Sequence, residues 1–454
     1  MNTPRSLFDK IWDQHVITQR AGEALVYIDR NFVHEGAFHA FAQLAKEGRR
    51  VRRPRQNFAT SDHYVPTLGR ERGMAGVTDP EIRGMVELLD ANTREHGILH
   101  LDIDDPRQGI VHVIGPELGL TQPGMTVACG DSHTSAHGAL GAVAFGIGTT
   151  QVRDVLATQT VAVPRLAVRR IEVAGALGPG VAAKDLILHL IRRLGVGGGA
   201  GFAYEYAGPA VEALSLEERM TLCTMSIEGG AQVGYVEPDA ATERYLRGRP
   251  FAPQGTAWDA AVREWRALRS GPDAAYADRV VVDGAAVEPM VTWGLTPEHA
   301  VGVGEPVPEP RSLAPAARDL AEQALAFMGR RAGTPVAGTR IDVAFVGSCA
   351  NGRLSDMAAV ADVVRRTGGR VAPHVRALVV PGSEAVRDAM VAAGYDTVLR
   401  DAGFTVGEPG CSLCVGMNGE PLVGDEVCAS TSTRNFKGRQ GSPTGRTLLM
   451  SPAM

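Results

Sequence analysis

The sequence predicts a multidomain α/β protein. Short apolar runs recur along the chain, each followed by a Gly-containing turn and a stretch of helical periodicity. The C-terminal third repeats that order so cleanly that it reads as a βαβ unit, which implies a parallel sheet and a right-handed crossover. At 454 residues the chain also exceeds what one hydrophobic core covers, so roughly two to four domains are expected.

Taken in order, apolar runs such as Val111–Ile114 and Met125–Ala128 alternate with helical stretches and serve as strand candidates of a first region, residues 1–167. Val168–Val173 opens a second region, residues 168–288. It leads into an amphipathic helix, Lys184–Leu194, with Leu186, Ile187, Leu190, Ile191 and Leu194 on one face. Ser215 and Glu218 have the spacing of a capping box for the helix that carries Met220 and Cys223. Pro297, Pro306, Pro308, Pro310 and Pro315 make residues 289–335 the best linker candidate. In the last region, 336–454, Ile341–Val346 reads as a buried strand, Gly347–Gly352 as a turn and Ser355–Arg366 as a helix. Ala377–Val380 is the next strand and Glu384–Ala393 the next helix. No internal repeat or low-complexity tract stands out.

Composition narrows the function. Hydrophobic residues at 44% and charged residues at 21% suit a soluble globular protein. A formal net charge of -5 gives no electrostatic reason to expect nucleic-acid binding, and the basic cluster Arg49, Arg50, Arg52, Arg53 is short. Met1–Phe8 lacks the apolar core of a signal peptide, and no run of about 18 apolar residues occurs, so neither export nor a membrane span is expected. A cytoplasmic location follows. Six cysteines are too sparse for a disulfide framework, so Cys129, Cys223, Cys349, Cys411, Cys414 and Cys428 are read as thiols.

Three of them fall where chemistry gathers. Cys349 lies in the turn between a predicted parallel strand and its helix, the place where open α/β sheets bind ligands and where a helix N-terminus favours a thiolate. Cys411 and Cys414 form a CxxC in the loop Pro409-Gly410-Cys411-Ser412-Leu413-Cys414. Zinc, a redox pair or an iron–sulfur cluster all fit such a motif. Structural zinc needs further sulfur or nitrogen ligands nearby, and there is no second CxxC. Three thiolates holding a cubane cluster would leave one iron without a protein ligand; Cys428 as a fourth ligand would make an electron carrier instead. In the N-terminal half, Ser61-Asp62-His63 and Cys129-Gly130-Asp131-Ser132-His133-Thr134 each set a carboxylate beside an imidazole. Neighbouring side chains on a strand point apart, so these groups are expected to pair across a site, with His112 as a further partner. Dehydration requires such pairs, because hydroxide leaves poorly unless protonated. His133 and His137 have helical zinc spacing, but Gly138 and its Gly-rich surroundings argue against a helix there. Arg434 and Arg439 offer two guanidinium forks suited to carboxylates. Gly195–Gly201 resembles a nucleotide loop but follows a predicted helix rather than a strand, so a Rossmann reading fails.

These motifs, in this order, resemble the aconitase superfamily, and within it the large-subunit branch of the isopropylmalate dehydratases. The resemblance spans the chain: Tyr27-Ile28-Asp29-Arg30, Phe58-Ala59-Thr60-Ser61-Asp62-His63, Gly109-Ile110-Val111-His112, Gly130-Asp131-Ser132-His133-Thr134, Gly347-Ser348-Cys349, the CxxC loop, Arg434-Asn435-Phe436 and Gly438-Arg439. It implies three α/β/α domains around a central [4Fe-4S] site held by Cys349, Cys411 and Cys414, with the family's fourth, swivelling domain on a separate small subunit. It implies an acid/base shell of Asp62 with His63, His112 with Asp131, and His133 with Glu228. Substrate contacts would come from His34, Ser132, Asn351, Arg434 and Arg439. The reaction implied is the isomerisation of 2-isopropylmalate to 3-isopropylmalate by loss and readdition of water, a step of leucine biosynthesis.

Four positions depart from the family pattern. An Asn is usual where Thr224 stands, and another where Thr433 stands; the usual Cys-Thr-Asn-Ser is Cys349-Ala350-Asn351-Gly352 here. Each change removes an amide or hydroxyl near the cysteines, and such groups tune clusters. Beside the isomerase, the sequence leaves open a paralogue acting on another 2-alkylmalate-like acid, a relative with reduced or lost activity, and, from a different class, a cluster-sensing RNA-binding or regulatory protein.

Overall fold

A computed structural model of the chain describes residues 5–417 and 421–454, so the first half of the Met1–Phe8 segment lies outside the described residues. The chain forms two compact units. The first takes the chain up to Asp62, then Val77–Ala176 and Gly199–Asp283; the second takes His63–Gly76, Leu177–Gly198 and Gly284–Met454. No helix among the described residues is long and apolar enough to cross a membrane.

The first unit holds two parallel sheets. One consists of β1 (Arg30–Val33), β2 (Asn57–Thr60), β3 (Leu99–Leu101), β4 (Thr126–Cys129) and β5 (Val143–Gly146), ordered β3-β2-β1-β4-β5. The other consists of β6 (Ala167–Ala174), β7 (Phe202–Ala207), β8 (Val233–Val236) and β9 (Asp278–Asp283), ordered β8-β7-β6-β9. Strands β2 and β4 are buried along their whole length, as expected of a parallel sheet covered on both faces. A three-stranded antiparallel sheet, Val16–Arg20, Glu23–Tyr27 and Thr160–Pro164, completes the unit.

One apolar run folds otherwise than expected. Val111–Ile114 is the start of a helix, Val111–Glu117, and not a strand. Residues 111–116 are all buried, and a helix without a polar face has no periodicity to distinguish it from a buried strand. Its first turn is anchored by tertiary structure, since the Val111 N–H donates to the Asp62 carboxylate at 2.9 Å. The capping box of the helix Leu216–Met225 is present as expected: Ser215 N donates to Glu218 Oε2 at 2.9 Å and Glu218 N to Ser215 Oγ at 3.3 Å.

The second unit holds the third parallel sheet: β10 (Val343–Val346), β11 (Arg376–Val379), β12 (Thr405–Val406), β13 (Val427–Ser430) and β14 (Arg446–Leu449), ordered β12-β11-β10-β13-β14. The Pro-rich stretch is structured. It contains the antiparallel pair Met290–Thr292 with Ala300–Gly302 and the helix Pro315–Met328. Val291, Trp293, Ala321, Ala324 and Met328 pack with Val427 and Leu448 in one core. The amphipathic helix, Ala183–Leu194, belongs to this unit, and its Asp185 accepts from Ala182 N and Met290 N, both at 2.8 Å.

All three parallel sheets share a winding. The chain runs from the first strand outward one way, then returns to the first strand's other side. The crevice at such a reversal is where α/β sheets gather ligands. It falls between β1 and β4 in the first sheet and between β10 and β13 in the third.

The run Ser132–Leu140 folds as a 3-10 helix despite Gly138 and its Gly-rich surroundings. Gly138 is required for packing: a methyl built there would stand 1.9 Å from the Gly234 carbonyl oxygen of β8. Substituting Gly138→Ala is expected to destabilise the protein by at least about 2 kcal/mol, the scale of overpacked cores. Denaturant unfolding of wild type and variant measures this, and equal midpoints would refute it.

Candidate active site

Within each unit, several of the polar groups singled out by the sequence lie just beyond strand carboxyl ends. In the first unit His34 follows β1, Asp62 lies beyond β2 and Asp131 lies beyond β4. Asp131 caps the 3-10 helix, its Oδ1 accepting the His133 N–H at 2.7 Å. The same oxygen lies 2.7 Å from His112 Nε2. His133 Nε2 lies 2.8 Å from Glu228 Oε1. Thus two of the expected pairs, His112 with Asp131 and His133 with Glu228, are formed. Asp62 is engaged by the Val111 N–H, while His63 belongs to the second unit. His34 Nδ1 accepts from Gly36 N at 3.2 Å. Glu35, which the sequence did not single out, is fully buried beside it. One ligand-capable atom each of His34, Glu35 and Asp62 lies within 4.8 Å of the others.

Behind His112 stand two further residues. Its Nδ1 lies 3.2 Å from His137 Nε2, and His137 Nδ1 lies 2.7 Å from Thr121 Oγ1. With both imidazoles neutral and Asp131 ionised, one proton arrangement satisfies the chain: Thr121 O–H to His137, His137 N–H to His112, His112 N–H to Asp131. Every donor points toward Asp131. His137 drew notice in the sequence only for its spacing from His133, and Thr121 carried no signal at all.

In the second unit Cys349, Cys411 and Cys414 are all buried, at 4–6% exposure. Cys349 sits in a single helical turn, Ser348–Asn351, directly after β10. Both cysteine loops contain a serine in the left-handed region, Ser348 at φ 84° and Ser412 at φ 50°. Such residues cost about 1–3 kcal/mol each and persist only when their surroundings hold them. Thr431 Oγ1 clasps the Cys349 turn, accepting from Gly347 N at 2.9 Å and donating to Gly347 O at 3.0 Å. The CxxC loop is held by residues 63–76: Thr67 Oγ1 donates to Ser412 Oγ at 3.0 Å, Glu408 N donates to Thr67 O at 2.8 Å, and the Arg70 guanidinium donates to Pro409 O. Sequence reading noticed only His63 of this segment. Arg439 Nη2 approaches Cys414 Sγ at 3.9 Å. Asn435 anchors the Arg434 loop by donating to Gly294 O at 2.7 Å. The Asn351 amide is almost fully buried, its oxygen 3.1 Å from Lys184 Nζ and its nitrogen 3.0 Å from Asp356 Oδ1.

The other thiols differ in kind. Cys428 lies on β13 in the sheet core, where burial pushes its thiol up to about 12. Burial also raises Cys129 well above the usual range. Both remain neutral thiols and pack as small apolar groups.

The departures have physical signatures. Thr224 and Thr433 are fully buried, and neither hydroxyl has a hydrogen-bond partner among the described residues. Gly352 fits a tight turn: a Cβ there would stand 2.7 Å from Ser348 O and 3.2 Å from Gly382 N, so a serine would force the turn to shift.

Comparison with known proteins identifies the family. The profile of the Aconitase family (aconitate hydratase) matches residues 9–454. Among curated proteins, the 3-isopropylmalate dehydratase large subunit of Sorangium cellulosum is 56% identical over 99% of this chain and 96% of its own length. That of a Synechococcus species is 55% identical over 99% of this chain and 96% of its own. That of Thermus thermophilus is 55% identical over 99% and 95%. With its imidazole–carboxylate pairs and its three loop cysteines in the family's order, this chain belongs to the aconitase family.

Proposed function

We propose that this chain is the large subunit of a [4Fe-4S]-dependent hydro-lyase that isomerises 2-isopropylmalate to 3-isopropylmalate in leucine biosynthesis, in the cytoplasm, with a separate small subunit. The observation that carries the reading is near-full-length identity of 55–56% to large subunits of that name, joined to a donor set of three buried loop thiols. That donor set fits a cluster better than one zinc ion. Structural zinc would need further sulfur or nitrogen ligands nearby, and the sequence has no second CxxC to supply them. The unpartnered hydroxyl of Thr433, two positions beyond the Thr431 that clasps the Cys349 turn, supports the same fit.

When bound, the cluster would supply a Lewis-acidic iron for the substrate's hydroxyl and carboxylate oxygens. The remaining work falls to side chains. His63, His112 and His133 are the candidates to carry the proton that lets hydroxide leave as water. Asp131 and Glu228 orient His112 and His133 and stabilise their protonated forms. His34 and Ser132 hydrogen-bond the substrate, and Arg434 and Arg439 engage its carboxylates. A covering domain on the small subunit would supply the remaining base and exclude water.

Three measurements test this reading. Anaerobic reconstitution should give about four iron and four sulfide per chain, with an electron paramagnetic resonance signal after oxidation; stoichiometric zinc without sulfide would sink the cofactor assignment. The isolated loaded chain should turn over isopropylmalate negligibly, and adding the cognate small subunit should restore activity. Full activity from the chain alone would refute the two-subunit reading. Finally, replacing Thr433→Val removes a buried hydroxyl that has no protein partner. The cluster-free protein should gain about 1 kcal/mol in thermal unfolding, while the loaded protein loses its cluster faster in air. Unchanged retention would show that the hydroxyl does not serve the cluster.

A further inference from the structure

Lys184 lies in the first turn of the helix Ala183–Leu194 and is fully buried in the second unit. Its Nζ stands 2.6 Å from the Ser432 carbonyl, 2.7 Å from the Thr431 carbonyl and 3.1 Å from Asn351 Oδ1. All three partners are neutral acceptors. An ammonium has three N–H donors and a neutral amine only two, so this is the geometry of a charged lysine. A buried cation bonded to neutral groups alone keeps most of its desolvation cost. Burial accordingly pulls Lys184 down to about 8, and the charges that oppose the fall are those of Cys414, Asp356, Cys349 and Asp185, in that order. Two of those four are the cysteines assigned to the cluster.

The bonds also form a closed frame. Asn351, two residues beyond Cys349, takes Lys184 on its oxygen and gives its nitrogen to Asp356. Asp356 in turn accepts from Arg353 N at 3.0 Å. Thr431 grips the same turn through Gly347, and Ser432 leads by way of Thr433 into Arg434.

We propose that Lys184 is a positioning residue for the iron–sulfur site: its ammonium ties the Cys349 turn to the segment leading to Arg434 and brings a positive charge to the turn that carries Cys349. The proposal rests on the cluster reading above. A nearby cation stabilises an anionic cluster and favours its reduced form, because net charge and hydrogen bonding set cluster potentials. It also gives Asn351 a task within the frame, with both ends of its amide engaged.

The experiment compares wild type, Lys184→Met, Lys184→Gln and Lys184→Arg as full chains after anaerobic reconstitution. Thermal unfolding of the cluster-free proteins scores folding first. In a folded neutral variant, iron should leave to a chelator at least about tenfold faster than in wild type, as for lost outer-shell partners. The reduction potential should move to more negative values, and the oxidised-cluster resonance should change shape. Lys184→Arg should keep retention close to wild type. A folded Met or Gln variant with wild-type release rate and potential would overturn the proposal. If neither neutral variant folds, Lys184→Arg decides: wild-type retention supports the proposal, and tenfold faster release in a folded Arg protein overturns it. A wild-type chain that takes up no iron and sulfide would instead overturn the cluster reading itself, and this proposal with it.

Discussion

The contact between Gly138 and the Gly234 carbonyl is the constraint from which the imidazole–carboxylate array follows. Only a residue without a side chain lets the Ser132–Leu140 helix lie this close to β8. Once it does, Ser135 Oγ donates to Cys223 O at 2.6 Å, and the helix bearing Glu228's neighbours is fixed against it. His133 then meets Glu228, His137 meets His112, and Asp131 takes both His112 and the first turn of the helix. Backbone packing places the chemistry, and the side chains complete it.

The second unit solves a harder problem. Three cysteines sit on loops, yet loops with two serines in the left-handed region do not hold themselves. The structure answers with polar contacts: the Thr431 hydroxyl on the Gly347 backbone, the Arg70 guanidinium on the Pro409 carbonyl, the Thr67 hydroxyl on that of Ser412, and the Thr67 carbonyl on Glu408 N. Glu384, buried beside Arg70 and Arg387, is held above the usual carboxylate range by burial, which outweighs both cations. The cysteine loops are thus braced by polar contacts rather than by apolar packing alone.

Much of this was legible beforehand. The C-terminal strands and helices lie within a few residues of their expected bounds, because parallel strands flanked by Gly turns leave a clear pattern. The capping box at Ser215 and two of the imidazole–carboxylate contacts were also legible, since capping is local and the motif order is distinctive. What escaped reading was non-local. Val111–Ile114 folds as a helix because Asp62, far away in sequence, anchors it. The 3-10 helix after Asp131 tolerates Gly138 because β8 demands it. Residues 289–335 are rich in proline yet contribute apolar side chains to a core. His137, Thr121, Glu35 and Lys184 carry no local signature, since a relay or a buried cation is defined by what surrounds it in space.

The shared winding of the three parallel sheets has a consequence for biosynthesis. In each, the strand made first ends in the middle, so its second neighbour arrives late. Asn31 of β1 pairs with Ala128 of β4, and Val343 of β10 pairs with Cys428 of β13. Ribosomes elongating at about 5–20 residues per second take roughly 5–20 seconds to cover the first of those gaps. For that interval the central strand of a nascent sheet has one open hydrogen-bonding edge, the feature that invites pairing with a neighbouring chain. The order of strands that concentrates polar groups at a sheet's crevice therefore also lengthens the time a newborn chain must be shielded.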